Sequence, residues 1–147
     1  MSIFSSFDVN ASGLTAQRYR MDVISENIAN ANTTRTQDGT PYRRKVVTFE
    51  QKEDQTPFSR VLNRKLDNYS GKGVRVSSVQ EDTWNEMKKV YDPSHPDADQ
   101  DGYVLYPNVN IVEEMTNLID ASRAYEANAT AFNASKSMAI KGLEMSN

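Results

Sequence analysis

The chain contains no cysteine, one histidine (His95) and one tryptophan (Trp84). The first absence excludes disulfides, thiolate metal sites and a cysteine nucleophile together. With one imidazole per chain, a histidine-based metal cluster cannot be built within the molecule, and a histidine-dependent triad would rest on His95 alone. No apolar run approaches the ~20 residues needed to cross a bilayer. Met1 to Asp8 has neither a basic start nor a continuous apolar segment, so no cleaved secretory signal is expected. The phosphate-binding, nucleophile-elbow and zinc-protease signatures are all missing. No cofactor, metal or small-molecule substrate is therefore expected, and the chain reads as a non-enzyme.

What is present is modest in apolar content and uneven in charge. Hydrophobic residues make up 37% of 147, enough for one domain with a small core. The net charge of −3 conceals a basic stretch over residues 34–80, with ten Lys/Arg against five Asp/Glu. Residues 81–120 reverse this, with two against ten. Such asymmetry suits head-to-tail contact between copies, pairing within the chain, or simply two solvated surfaces. Nucleic acid is excluded as a partner, because the basic stretch lacks interleaved aromatics and the whole chain is acidic.

The strongest pattern lies at the two ends. Phe7, Leu14, Met21 and Ile28 fall seven residues apart, supported by Ile24 and Ala31. Ile111, Leu118, Tyr125, Phe132 and Ala139 repeat the spacing, supported by Met115, Ala129 and Leu143. A heptad keeps a narrow apolar seam on one helix face, and another helix must cover it. The spacing predicts helices over residues 5–31 and 110–143. Gly13 weakens the first of them, and the Asn-rich run near residue 30 ends it. Glu113 and Glu114 fall in the first turn of the second, where the helix dipole favours negative charge.

Between the helices the chain reads as strands and turns. Strands are expected at residues 42–50, 74–79, 84–91 and 102–106, with a turn at 37–41 and a weak helical stripe of Val61, Leu62 and Leu66. Tyr42, Phe49, Trp84, Tyr91, Tyr103 and Tyr106 are the expected anchors of this insert. Asp97, Asp99, Asp101 and Gly102 match the opening of a calcium loop. Asn108 stands where a bidentate Glu is required, and turn chemistry accounts for the same residues. The fold class is α+β: long N- and C-terminal helices pairing like a coiled coil, with a small β-rich insert. The expected division is 1–33, 34–107 and 108–147, the two ends forming one helical assembly domain.

Residues 25–33, Ser-Glu-Asn-Ile-Ala-Asn-Ala-Asn-Thr, resemble the N-terminal motif of the bacterial flagellar rod and hook proteins. Residues 106–115, Tyr-Pro-Asn-Val-Asn-Ile-Val-Glu-Glu-Met, continuing through 121–128, Ala-Ser-Arg-Ala-Tyr-Glu-Ala-Asn, resemble the C-terminal motif of that family. The short chain, with residues 41–47 and 95–99, is most similar to the proximal-rod members. The resemblance implies a structural subunit of the basal-body rod that polymerises through its terminal helices, transmits torque and encloses the export channel. It implies export without a cleaved signal, through the flagellar type III export apparatus. The implied partners are copies of itself, other rod proteins and the adaptor joining rod to membrane ring. The implied assembly residues are Leu14, Met21, Asn27, Ile28, Asn30, Asn32 and Thr33 at one end, and Ile111, Met115, Leu118, Tyr125 and Phe132 at the other. Alternatives are another subunit of the same family, a soluble helical-hairpin binding module, or an enzyme acting on cell wall. The last would need a convergent acid pair, and the sequence indicates none.

Overall fold

The computed structural model describes residues 3–52 and 72–145. The expected stripe of Val61, Leu62 and Leu66 lies outside them. Two long helices enclose four short strands: α1 (Ile3–Ala29), β1 (Lys45–Gln51), β2 (Val74–Glu81), β3 (Lys88–Tyr91), β4 (Tyr103–Tyr106) and α2 (Ile111–Glu144). The class is α+β, and both helices start and stop within two residues of the sequence expectation. Among the described residues, no helix is long and apolar enough to cross a membrane.

Local chemistry sets the boundaries. The Asn30 side-chain amide donates to the Glu26 carbonyl at 3.0 Å, and the Thr33 hydroxyl donates to Asn30 Oδ1 at 3.2 Å. The backbone tightens alongside, the Ala31 amide donating to the Ile28 carbonyl at 3.2 Å and the Thr33 amide to the Asn30 carbonyl at 3.0 Å, so α1 ends at the Asn-rich run. Asn110 Oδ1 accepts the Val112 amide at 3.1 Å, an N-cap that starts α2. Strands β1 and β2 pair in one two-stranded sheet, β3 and β4 in another. In the second the register is antiparallel, with Val90 opposite Val104 and Tyr91 opposite Tyr103.

The chain forms two compact units, each with a piece of both helices. The first comprises Met1–Arg18, Phe49–Ser77 and Ser122–Asn147. Here Phe7 meets Phe132 edge-on with ring centroids 5.2 Å apart, and Asn10 Nδ2 donates to Ser135 Oγ at 3.4 Å. The backbones approach closely at Gly13, where an added Cβ would lie 2.9 Å from Asn128 Oδ1. Ser12 Oγ accepts the Val74 amide at 3.0 Å and donates to the Val9 carbonyl at 2.7 Å, tying the start of β2 to α1.

The second unit comprises Tyr19–Thr48 and Ser78–Ala121. Its buried apolar residues are Val23, Ile24, Ala31, Tyr42, Val104 and Ala121. Three expected anchors are corrected: Trp84 is 93% exposed, and Tyr91 and Tyr103 are also exposed. The expected strand over 84–91 begins only at Lys88. The reason is Asp82, whose Oδ1 accepts the backbone amides of Trp84 and Asn85 and folds residues 83–85 into a bend.

The buried line on each helix also differs from the large-residue seam. On α2 it runs through Glu114, Ala121 and Ser135, a heptad offset from the expected one. On α1 it holds Ser12, Ala16, Val23, Ile24 and Asn27. Small side chains let packed helices come close, and the larger heptad residues ride on the flanks.

Candidate assembly site

The most constrained chemistry in the second unit centres on Asn27, near the end of α1. Asn27 is fully buried, and its amide nitrogen donates to Glu114 Oε2 at 2.9 Å and to the Lys45 carbonyl at 2.9 Å. Its amide oxygen accepts the Tyr42 hydroxyl at 2.9 Å and the Lys45 backbone amide at 2.9 Å. Every hydrogen-bonding position on one side chain is thus used to join α1, β1 and α2.

Glu114 answers from α2. It is 1% exposed, and Arg44 meets its Oε1 through Nε at 2.9 Å and Nη2 at 2.8 Å. Both guanidinium nitrogens converge on one oxygen, leaving Oε2 to Asn27, and the charge on each side strengthens these bonds. Burial pulls the Arg44 pKa down, but Glu114 outweighs it and holds the guanidinium above its usual range. Arg44 Nη1 also reaches Asp82 Oδ2 at 3.5 Å. The Asn85 side chain, at 2.8 Å, leads in holding the Asp82 carboxyl below the usual range. Burial first, and then Glu26, Glu114 and Glu81, push the Tyr42 phenol up to about 12. Asn108 closes the network: its amide donates to the Asp82 and Asn85 carbonyls, and its oxygen accepts the Arg44 amide at 2.9 Å.

The family-motif residues fall into three settings. Asn27 is the buried hub. Asn30 and Thr33 cap α1, the Thr33 carbonyl accepting the Tyr42 amide at 3.1 Å, while Asn32 is exposed beyond them. Leu14, Met21, Ile28, Leu118 and Phe132 are half-buried on the helix flanks. Ile111, Met115 and Tyr125 are exposed, in company with Val112 at 75% and Ile119. Glu114 has its expected place in the first turn of α2, and the structure also buries it opposite Asn27. Asp82 was not singled out by its sequence; Arg44 figured only within residues 41–47, and Asn108 only in place of a calcium-loop Glu and within residues 106–115. A usable signal for Glu114 was its place seven residues before Ala121, on the small-residue line.

In the acidic turn resembling a calcium loop, Asp97 accepts the Thr34 hydroxyl at 2.8 Å and Asp99 serves the turn's own backbone. Asp99 Oδ1 accepts the amides of Asp101 at 3.0 Å and Tyr103 at 2.8 Å. Among the described residues, no three His, Asp or Glu side chains are grouped to hold a metal ion.

The family description "Flagella basal body rod protein" matches residues 7–36, and "Flagellar basal body rod FlgEFG protein C-terminal" matches residues 100–147. Over its length the chain is similar to curated flagellar basal-body rod proteins FlgC. It is 52% identical to that of Borreliella burgdorferi, covering 94% of this chain and 93% of the relative. It is 46% identical to that of Bacillus subtilis, covering 99% of each. It is 41% identical to that of Salmonella typhimurium, covering 99% of this chain and 98% of the relative.

Proposed function

The chain belongs to the FlgC family of flagellar basal-body rod proteins, and from that premise we propose that α1 and α2 are its polymerising parts. The family is structural. A subunit of this kind resides in the flagellar basal body and assembles with copies of itself and with other basal-body components.

One observation carries the finer reading. The chain's own packing leaves Ile111, Val112, Met115 and Ile119 exposed on the first turns of α2, within the segment that matches the family. Four large apolar side chains at helical spacing form a face of the kind that marks an interaction site. Neighbouring subunits cover that face in the assembled shaft, and Leu14, Met21 and Ile28 supply flanking contacts from α1. The buried Asn27–Glu114–Arg44 network contributes by fixing how α1 meets α2, so that each copy presents the same face. The subunit thereby transmits torque around a central export channel, leaves the cell through the flagellar type III apparatus, and meets other rod proteins and the rod-to-ring adaptor.

Ile119→Lys and Met115→Lys test this, because both positions are exposed and a lysine there leaves the chain's own packing unchanged. Each is expected to retain wild-type circular dichroism and export while eliminating assembled basal bodies in electron micrographs. Normal basal-body counts with both variants would show that another surface builds the shaft.

A further inference from the structure

The chain's single tryptophan stands on one of its most firmly held turns and touches almost nothing. Asp82 accepts the Trp84 amide at 3.1 Å and the Asn85 amide at 3.2 Å, while Asn108 donates to the Asp82 carbonyl at 2.8 Å and the Asn85 carbonyl at 3.1 Å. Arg44 anchors the Asp82 carboxylate from the other side. The backbone is therefore fixed, yet the indole is 93% exposed. A pre-ordered turn presenting a tryptophan has already met the ordering cost of association, and tryptophan is enriched among residues that dominate interfaces. Exposed carboxylates, Glu81 and Glu86, flank it, neither held in an ion pair among the described residues.

The same unit carries a complementary receptacle. An open groove of about 560 Å³ lies between Val90, Tyr106 and Pro107 on one side and Ile111 and Val112 on the other. Its one charged lining residue is Lys88, which has no ion pair among the described residues. The lining mixes these apolar side chains with Asn32 and Asn110 and carries one cation, Lys88; the Trp84 turn is an apolar ring flanked by carboxylates. An aromatic side chain buries ~150–250 Å² when it docks, which suits a groove of this size. Trp84 is 93% exposed and is not among the residues that line the groove of its own copy.

We propose that Trp84 of one copy docks into the Lys88–Val90–Tyr106–Val112 groove of a second copy, with Glu81 and Glu86 facing Lys88. This contact joins the segment between the helices to the first turn of α2, sharing Ile111 and Val112 with the exposed face of that helix but not Met115 or Ile119. An acidic turn thereby meets the basic side chain of a neighbour.

The lone tryptophan is its own reporter. In full-length wild-type protein, raising the concentration should shift its emission to shorter wavelength and diminish acrylamide quenching. Val112→Glu places a carboxylate on an exposed groove wall opposite Glu81 and Glu86; that variant should keep its circular dichroism and lose the shift. Trp84→Ala is dark but keeps the groove. Mixing an excess of it with Val112→Glu should restore the shift, since the mutant's tryptophan then has an intact groove to enter. Excess Trp84→Ala/Val112→Glu should restore nothing. An indole that stays fully quenchable in assembled wild-type protein overturns the proposal. So does an undiminished shift in Val112→Glu, or a mixture without recovery. Ile119→Lys, which tests the exposed face of α2 and lies outside the groove, should leave the recovery intact.

Discussion

A buried carboxylate must be matched almost atom for atom, and Glu114 is matched by an amide and a guanidinium from two other elements. Removing one partner of a buried pair leaves the other unsatisfied, typically at ~3–5 kcal/mol. Glu114→Ala is expected near the lower end of that range, because Arg44 keeps Asp82. The adjacent exposed Glu113→Ala should stay within ~0.5 kcal/mol, and urea unfolding of the pair checks the contrast. Tyr42 gives the same network a pH signature. Its folded pKa is raised to about 12, so its contribution is complete below the ordinary tyrosine value of ~10 and lost as pH rises through about 12. Tyr42→Phe should flatten the loss of stability across that window. Asp82 behaves oppositely: its carboxyl is held below the ordinary range, so its contribution is complete above that range and lost as pH falls through the depressed folded value. Asp82→Asn should remove that acid-side loss.

At the scale of elements, the close approach of α1 and α2 in the first unit is testable through Gly13. Alanine in a helix interior is favoured over glycine by about 1 kcal/mol. Here the new methyl would press on the Asn128 side chain, whose amide donates to the Ala124 carbonyl at 2.9 Å. Gly13→Ala alone is expected to gain nothing. Combined with Asn128→Ala it should recover ~0.5–1 kcal/mol relative to Asn128→Ala, and thermal melts of the four proteins decide it. Gly73→Ala is more severe, since φ is 90° and the methyl would lie 2.1 Å from Ser12 Oγ. The helices and most strands were legible because periodicity and turn residues are local signals. Which residues line the helix contact was not, since heptad spacing favours the large side chains while close approach selects Ala16, Ala121 and Ser135. The polar hub was illegible for a different reason. Asn27 and Glu114 lie 87 positions apart, and nothing in either neighbourhood marks one as the partner of the other. Trp84 misled because tryptophan in a strand-like stretch usually packs, whereas two neighbouring side chains, Asp82 and Asn85, hold this one outward.

For the whole molecule, the balance of exposed surfaces decides how association should respond to conditions. Apolar side chains remain exposed along α2 at Ile111, Val112, Met115 and Ile119, and again at Met138, Ile140 and Leu143. The net charge is only −3, so long-range repulsion between copies is weak. Burial of apolar area is driven by entropy near room temperature and weakens on cooling. Polymerisation through the helices should therefore strengthen from 4 to 37 °C (about a thirty-degree span in which the hydrophobic term grows) and strengthen again with added sulfate. Its heat capacity change should be negative. Contacts steered by Glu81, Glu86 and Lys88 should respond in the opposite sense to sodium chloride, because exposed charges are screened within ~8–10 Å at physiological salt. Sedimentation velocity across temperature and salt, read beside tryptophan emission, separates the two. Assembly that grows on cooling and dissolves in sulfate would mean that polar contacts, rather than the bare face of α2, hold the copies together.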